Sequence, residues 1–231
     1  ASSCLAVGMA NAGELPPTPK GSFSIAVIPD TQHYKGRGTK GSDKDTNPLS
    51  NKVFEGYTDW IAANLERQRI VFVSQVGDIV DINKRAQGAL ARGCMDKLHG
   101  RVPYGISVGN HDMTGDGNSS LFQEVFPSSR FARFDWYAGC FERPADKVAI
   151  SGNNANSVQL FGGGGLKFVA LHLECNAPDD VLRWADSVLR RHSDRHAMIT
   201  THMGLGPRDK PKDSRDYFDA PKGRMTWTKR H

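Results

Sequence analysis

The chain has 231 residues, which is enough to bury the core of one compact domain without a disulfide or a metal to hold it together. Hydrophobic residues make up 38% of the chain and charged residues 24%, with a mean hydropathy of −0.50. This composition is typical of a globular protein and excludes a disordered or fibrous chain. No apolar run approaches the roughly 20 residues of a transmembrane helix, so the sequence predicts no membrane span.

The net charge of +5 is concentrated near the end of the chain. Residues 190–231 contain eleven Lys or Arg and five Asp, whereas the preceding 189 residues carry a net charge of −1. A basic segment of this kind can attract nucleic acid. Because its basic residues are interspersed with Asp, Pro and Gly, we interpret it as a solvated loop, with nucleic-acid binding as the alternative.

The beginning of the chain resembles the end of an export signal. A short apolar run, Cys4–Ala10, leads into Ala10-Asn11-Ala12, which fits the small-x-small pattern before a signal-peptidase cut. A polar segment rich in Pro follows up to Lys20. We interpret residues 1–20 as a signal-peptide remnant or flexible linker and expect the protein to be exported to the periplasm or the extracellular space. An N-terminal arm that is either disordered or packed on the fold is the alternative.

Four cysteines are scattered along the chain without a C-x-x-C pair. This spacing indicates neither a zinc ribbon nor a redox motif. In an exported protein, Cys94, Cys140 and Cys175 could form one disulfide and leave one free thiol, and the sequence favours no particular pair.

Apolar runs and amphipathic stretches alternate over the first half of the folded sequence, in the order expected of parallel crossover units. Ser50 or Asn51 is available as an N-cap for the first helix. A polar stretch over 35–47 lacks an apolar period and predicts an extended loop. The predicted strands are 23–28, 70–76 and 102–108, and the predicted helices are 52–69 and 86–98. The pattern indicates the α/β class.

The second half adds a hairpin to this pattern. Residues 113–156 predict long loops with short helical pieces. Two antiparallel strands at 157–161 and 166–173 are expected to be joined by a turn of four glycines. An amphipathic helix is predicted over 179–192 and a last strand over 197–201.

Polar side chains follow the carboxyl ends of four of the predicted strands. In open α/β sheets this edge is where ligands bind. The groups are carboxylates, amides and imidazoles without a thiolate, a set that suits Mn, Fe, Mg or Zn. Two such ions held close together can clamp a phosphoryl oxygen and activate a hydroxide. The residues concerned are Asp30, Gln32, Asp78, Asp81, Asn110, His111, Asp112 and His202.

These residues lie in motifs that resemble, in order, four successive motifs of the calcineurin-like metallophosphoesterase superfamily. The motifs are Asp30-Thr31-Gln32, Gly77-Asp78-Ile79-Val80-Asp81, Gly109-Asn110-His111-Asp112 and Thr201-His202. The resemblance implies a four-layer αββα sandwich over residues 21–231. It also implies hydrolysis of phosphomonoesters or phosphodiesters by metal-bound hydroxide at a dinuclear centre of two divalent ions, Mn, Fe, Zn or Mg.

The resemblance also implies a role for each residue. The implied metal ligands are Asp30, Gln32, Asp78, Asn110 and His202. Asp78 would bridge both ions, with Asp30 on the first ion and Asn110 and His202 on the second. The implied catalytic residues are His111, Asp112 and Asp81. His111 would protonate the leaving alkoxide or orient the phosphate, and the two carboxylates would hold a metal ligand or His111 in place.

The sequence departs from the family pattern at two points. Gln32 stands where the family usually has His, and His33 is one residue too late to replace it. An amide oxygen favours harder ions such as Mn or Mg, and Gln at this position occurs in a branch of the superfamily. The closing Gly-His-x-His motif is absent before His231, which predicts a fragment or a naturally shortened enzyme lacking its C-terminal part. The alternative is a catalytically inactive binding or structural module with the same fold.

Two features stay open at the level of sequence. His172 lies on a predicted strand, where it would either line the site or pack within the sheet. The substrate is equally open, since phosphomonoesters, phosphodiesters and nucleotide pyrophosphates use the same type of metal centre. We expect specificity to lie in the loops over 35–50 and 113–156.

Overall fold

The computed structural model describes residues 15–42 and 44–202 and contains a mixed α/β fold with two sheets. The first sheet is parallel throughout and has the order β1-β2-β3. Helices α1 and α2 make the two crossovers, which confirms the predicted alternation of strands and helices. The elements are β1 (Ser24–Ile28), α1 (Lys52–Asn64), β2 (Ile70–Gln75), α2 (Arg85–Asp96) and β3 (Tyr104–Ile106).

The second sheet has four strands in chain order. Its first three strands are antiparallel neighbours, and its last two are parallel because a helix connects them. Two short helices, α3 (Ser120–Val125) and α4 (Ser128–Phe131), precede this sheet. Its elements are β4 (Tyr137–Cys140), β5 (Ser157–Gly163), β6 (Leu166–Leu173), α5 (Asp179–Arg191) and β7 (His196–Thr201).

Local sequence explains the two longest helices. Asn51 is the N-cap of α1: its side-chain oxygen accepts from the Phe54 amide at 3.0 Å, and its amide group donates to the Thr31 carbonyl at 2.6 Å. The same residue therefore begins the helix and fixes the segment after β1. Helix α5 carries acidic residues in its first turn and arginines in its last turn, which complements the helix dipole.

Three apolar clusters hold the elements together. The largest joins α1 and α2 to the first sheet, and a second joins α5 to the second sheet. The third contains Phe72 of β2 with Phe161 and Ala170 of the second sheet. The rings of Phe72 and Phe161 stack with their centroids 4.2 Å apart. The two sheets therefore pack against each other, and each also packs against helices.

The structure corrects several predictions. Strand β4 was not predicted, because it is short, contains a glycine and lies in a segment without a period. The turn of the hairpin has two glycines and not four: Gly162 and Gly163 continue β5, while Gly164 and Gly165 adopt φ angles of 57° and 81°. Glycine tolerates this left-handed region, which a tight hairpin turn needs.

The disulfide that the sequence left open is not formed among the described residues. Cys94, Cys140 and Cys175 are all free. They belong to different parts of the fold, since Cys94 lies on α2, Cys140 on β4 and Cys175 just after β6.

Some predictions fall outside the described residues. These are residues 1–14, which hold most of the predicted signal-peptide remnant, and the basic segment after His202. Within residues 15–42 and 44–202, no helix is long and apolar enough to cross a membrane.

Candidate metal centre

Three side chains from three different strand ends meet at one edge of the fold. Asp30 follows β1, Asp78 follows β2, and His202 follows β7. One potential ligand atom from each of them lies within 4.8 Å of the others. We call these three residues the strand-end cluster. It unites two carboxylates and an imidazole that are far apart in sequence, and it brings together residues from both sheets.

The backbone after β2 turns sharply to present Asp78. Gly77 has a φ angle of 104° and Asp78 one of 53°, both in the left-handed region. A β-carbon at Gly77 would lie 2.7 Å from the β-carbon of His202. Glycine is required there both for the backbone conformation and for the close approach of the histidine.

The hydrogen bonds of His202 indicate which ring nitrogen faces the cluster. Its Nδ1 lies 3.1 Å from the Val76 carbonyl oxygen, which can only accept, so Nδ1 carries a proton. Nε2 then points at Asp78 Oδ2, 3.1 Å away, while Asp30 Oδ1 lies 3.7 Å from Nδ1. A backbone carbonyl that fixes the tautomer of a histidine is a common feature of metal-binding histidines.

Electrostatics favour a positive charge at this point. Burial alone lowers the pKa of His202, but the hydrogen bond and charge of Asp78, the Val76 carbonyl and the charge of Asp30 outweigh it and raise the pKa to about 9. In the absence of an ion the ring is therefore an imidazolium between two carboxylates.

The donor set fits a divalent metal ion. Two carboxylates and one imidazole, with no thiolate, suit Mn, Fe, Zn or Mg, and a bound cation would balance the carboxylates as the imidazolium proton does. Asp78 is 3% exposed, whereas the Asp30 side chain is half exposed. The cluster thus has a buried ligand and one open to solvent.

Gln32 reaches the cluster through Asp78. Its amide nitrogen donates to Asp78 Oδ2 at 2.8 Å. In this orientation Gln32 positions the carboxylate, and rotation of the amide by half a turn would present the oxygen expected of a metal ligand. His33 is exposed, in keeping with its place one residue too late in the motif.

The segment after β3 lies against the same turn. The His111 amide donates to Asp78 Oδ1 at 2.9 Å, and His111 Nδ1 lies 2.6 Å from the Asp81 carbonyl oxygen. The Asp81 carboxylate is farther, with Oδ1 3.7 Å from the same nitrogen. Asn110 is half-buried and directly precedes His111 in the chain.

Asp112 contacts the backbone of the turn that carries Asp78. Its carboxylate accepts hydrogen bonds from the amides of Ile79 at 3.2 Å, Val80 at 3.0 Å and Gly109 at 2.8 Å. Burial and the charge of Asp78 raise the pKa of Asp112 to about 7, against the effect of these amides. Asp112 therefore braces the turn that carries Asp78.

His172 packs inside the fold and does not line the strand-end cluster. It is fully buried between the sheets, where its Nε2 lies 2.9 Å from Ser74 Oγ and its Nδ1 lies 2.7 Å from Gln159 Oε1. Burial lowers its pKa to about 3, so the ring is neutral. Of the two positions left open by the sequence, the structure shows packing within the sheets.

Gln87 of α2 supports the site, although the sequence did not predict this role. Its fully buried side chain accepts from the amides of Asp81 and Ile82, both at 2.9 Å, and fixes the segment that contacts His111. A glutamine in an amphipathic helix gives no sequence signal for this role.

Comparisons with known proteins are sparse. No protein-family model matches the chain. The chain is similar to the uncharacterized protein YvnB of Bacillus subtilis (strain 168), with 28% identity over 197 residues. The match covers 83% of this chain but 13% of YvnB, so the chain spans a small part of that relative's length. Because YvnB is itself uncharacterized, the likeness adds no activity to what the residues of the site indicate.

Proposed function

We propose that this chain is a metal-dependent hydrolase of phosphate esters, with a centre for two divalent ions built around the strand-end cluster. The motifs resemble those of calcineurin-like metallophosphoesterases, and the packing supports the αββα sandwich that this resemblance implies. In that sandwich α1 and α2 would form one outer layer and α5 the other, on either side of the two facing sheets.

The observation that carries the proposal is the convergence of three ligand atoms within 4.8 Å from three strand ends. Divalent ions bound at such a site polarise a phosphoryl oxygen and activate water for in-line attack. Asp30 and Asp78 would hold the first of these ions, together with Gln32 after rotation of its amide. Asp78, Asn110 and His202 would hold the second.

His111 is the residue best placed for proton transfer. Because Nδ1 donates to the Asp81 carbonyl, Nε2 is the nitrogen left for a substrate. A proton on Nε2 of His111 would pass to the leaving oxygen of the ester. The hydrogen bond from the His111 backbone amide to Asp78 links the position of His111 to that of the buried Asp78 carboxylate.

The test combines metal content with turnover. Protein prepared without chelator and supplied with Mn and Zn is analysed for metal per chain, and its hydrolysis of p-nitrophenyl phosphate and bis(p-nitrophenyl) phosphate is measured. We expect close to two ions per chain and turnover of at least one ester. Asp78→Asn should abolish both, whereas Asp186→Asn, at an exposed ion pair on α5, should change neither.

Three outcomes separate the possibilities. Turnover lost in Asp78→Asn and kept in Asp186→Asn supports the proposal. Metal binding without turnover of any ester favours the binding or structural module. Absence of metal, or equal turnover in wild type and Asp78→Asn, contradicts a metal centre at the strand-end cluster.

A further inference from the structure

A lysine from the loop between β1 and α1 reaches the carboxylate beside His111. Lys40 Nζ lies 2.7 Å from Asp81 Oδ1. The same oxygen lies 3.7 Å from His111 Nδ1. An ammonium group and the histidine ring thus share one carboxylate oxygen, next to the residue that would face the substrate.

The loop that carries Lys40 is tied to the segment that carries Asp81. The buried amide of Gln87 accepts from the amides of Asp81 and Ile82 and donates to the Gly38 carbonyl at 3.3 Å. The Gly38 amide in turn donates to Ser42 Oγ at 3.0 Å, which closes a turn around Lys40. One buried side chain therefore sets the distance between this turn and Asp81.

The ammonium group of Lys40 is open to an incoming anion. The Lys40 side chain is 63% exposed, whereas the Asp81 side chain that it pairs with is 16% exposed. An ammonium group has three donor hydrogens, so Lys40 can contact an anion from the solvent side while it remains paired with Asp81. The carboxylates of Asp30, Asp78 and Asp81 repel such an anion, and Lys40 offsets part of that repulsion.

We propose that Lys40 is a specificity-determining residue that contacts the phosphoryl oxygens of a phosphomonoester, so that monoesters are favoured over diesters. The inference rests on the proposed function. A phosphomonoester carries roughly two negative charges near neutral pH, whereas a diester carries one. A cation beside the reacting phosphate therefore stabilises the monoester more than the diester.

The kinetic test compares two substrates in the metal-loaded protein. Lys40→Gln is expected to lower kcat/KM for p-nitrophenyl phosphate by about fivefold, mainly through KM, and to change kcat/KM for bis(p-nitrophenyl) phosphate by less than twofold. Lys40→Arg should retain the preference for the monoester. Lys52→Gln removes a lysine from an exposed ion pair with Glu55 on α1 and should leave both substrates unchanged.

A binding measurement decides the inference without turnover. Inorganic phosphate is titrated into metal-loaded protein in a calorimeter, and Lys40→Gln should weaken its Kd by about fivefold while Lys52→Gln does not. Unchanged phosphate affinity in Lys40→Gln, an equal loss for monoester and diester, or no phosphate binding to the wild type would overturn the role of Lys40. If the wild type binds metal and phosphate but hydrolyses neither ester, the proposed function fails and the phosphate titration still decides on Lys40.

Discussion

Two histidines lie in two regions of opposite electrostatic character. His172 belongs to what we call the inter-sheet network, formed with Ser74 and Gln159, in which each ring nitrogen has one neutral partner. His202 belongs to the strand-end cluster, where two carboxylates converge on the ring. The first region is electrically neutral and closed, and the second has an excess of negative charge and an opening at Asp30.

The difference appears in the pKa of each ring. Burial lowers the pKa of His172 to about 3 because its partners carry no charge to offset the loss of water. At His202 the carboxylates outweigh burial and raise the pKa to about 9. A buried histidine with neutral partners stabilises a fold, whereas one held between carboxylates indicates a place for a cation.

Each histidine also lies against a glycine. Gly77 makes room for His202, and Gly105 makes room for His172, where a β-carbon would lie 2.2 Å from Nδ1. Substitution of either glycine by alanine therefore disturbs one region through the added β-carbon. The amino-acid identity of every polar residue in both regions stays the same. The two variants form a matched pair.

Gly77→Ala is expected to have the largest effect. The β-carbon would displace His202 and strain a backbone with a φ angle of 104°. Metal affinity should fall by about 100-fold, with a loss of roughly 2 kcal/mol in the free energy of unfolding. Titration of the apoprotein with Mn and urea unfolding measure the two quantities. Unchanged metal affinity would show that His202 does not ligate the ion.

Gly105→Ala is expected to lower stability while sparing metal binding. The added β-carbon would clash with both the His172 ring and the Gln159 amide oxygen. This overpacking should lower the free energy of unfolding by about 3 kcal/mol. The control is Gly93→Ala on α2, where a β-carbon meets nothing within 4 Å and the helix should gain up to about 1 kcal/mol. Metal affinity measured on the folded fraction should stay within a few-fold of wild type.

Acidification tests the neutral state of His172. The unfolded chain binds a proton near pH 6.5 and the folded ring only near pH 3, so this residue contributes stability above pH 6.5 that is lost as the pH falls toward 3. Between pH 7 and pH 4.5 the loss from this residue should be about 2.5 kcal/mol. Burial raises the pKa of Glu174 to about 7, which acts in the opposite sense.

The contribution of His172 is therefore read as a difference between two proteins. Urea unfolding of wild type and His172→Gln is compared across this pH range, because glutamine keeps a donor and an acceptor without titrating. On acidification the wild type should lose more stability, or gain less, than His172→Gln. Parallel curves for the two proteins would contradict a neutral, buried His172.

The sequence predicted that Asp30, Asp78 and His202 follow strand ends, because strand ends are local features. An apolar run that stops at Asp30 or at Gly77-Asp78 locates the residue at the carboxyl edge of a sheet, wherever the neighbouring strands lie. The same prediction included His202 because it follows the apolar run of the last predicted strand. Parallel pairing of β1 with β2 brings Asp30 and Asp78 to one edge, and the packing of the two sheets brings His202 to the same place.

The inter-sheet network could not be predicted because its partners depend on how two sheets face each other. Ser74 and His172 are 98 positions apart, and neither lies in a recognisable pattern. The same reason applies to Asp112, whose partners are backbone amides of another segment. Strand β4 was missed because its pairing with β5, and not its own four residues, makes it a strand.

Gln32→His is expected to have the smallest effect and tests whether this position tunes the choice of metal. The imidazole would add a nitrogen ligand to the strand-end cluster and remove the amide that donates to Asp78 Oδ2. Nitrogen ligands favour Zn over Mn, so the ratio of Zn to Mn affinity should rise by about tenfold. Competitive loading of the apoprotein with both ions, followed by elemental analysis, measures this ratio.

The adjacent residue supplies the control for this change. His33 is exposed, so His33→Gln should leave the ratio of Zn to Mn affinity at the wild-type value. A shift in Gln32→His alone would place residue 32 within reach of the ion. An unchanged ratio in both variants would mean that Gln32 serves only to orient Asp78, and that the strand-end cluster selects its metal through Asp30, Asp78 and His202.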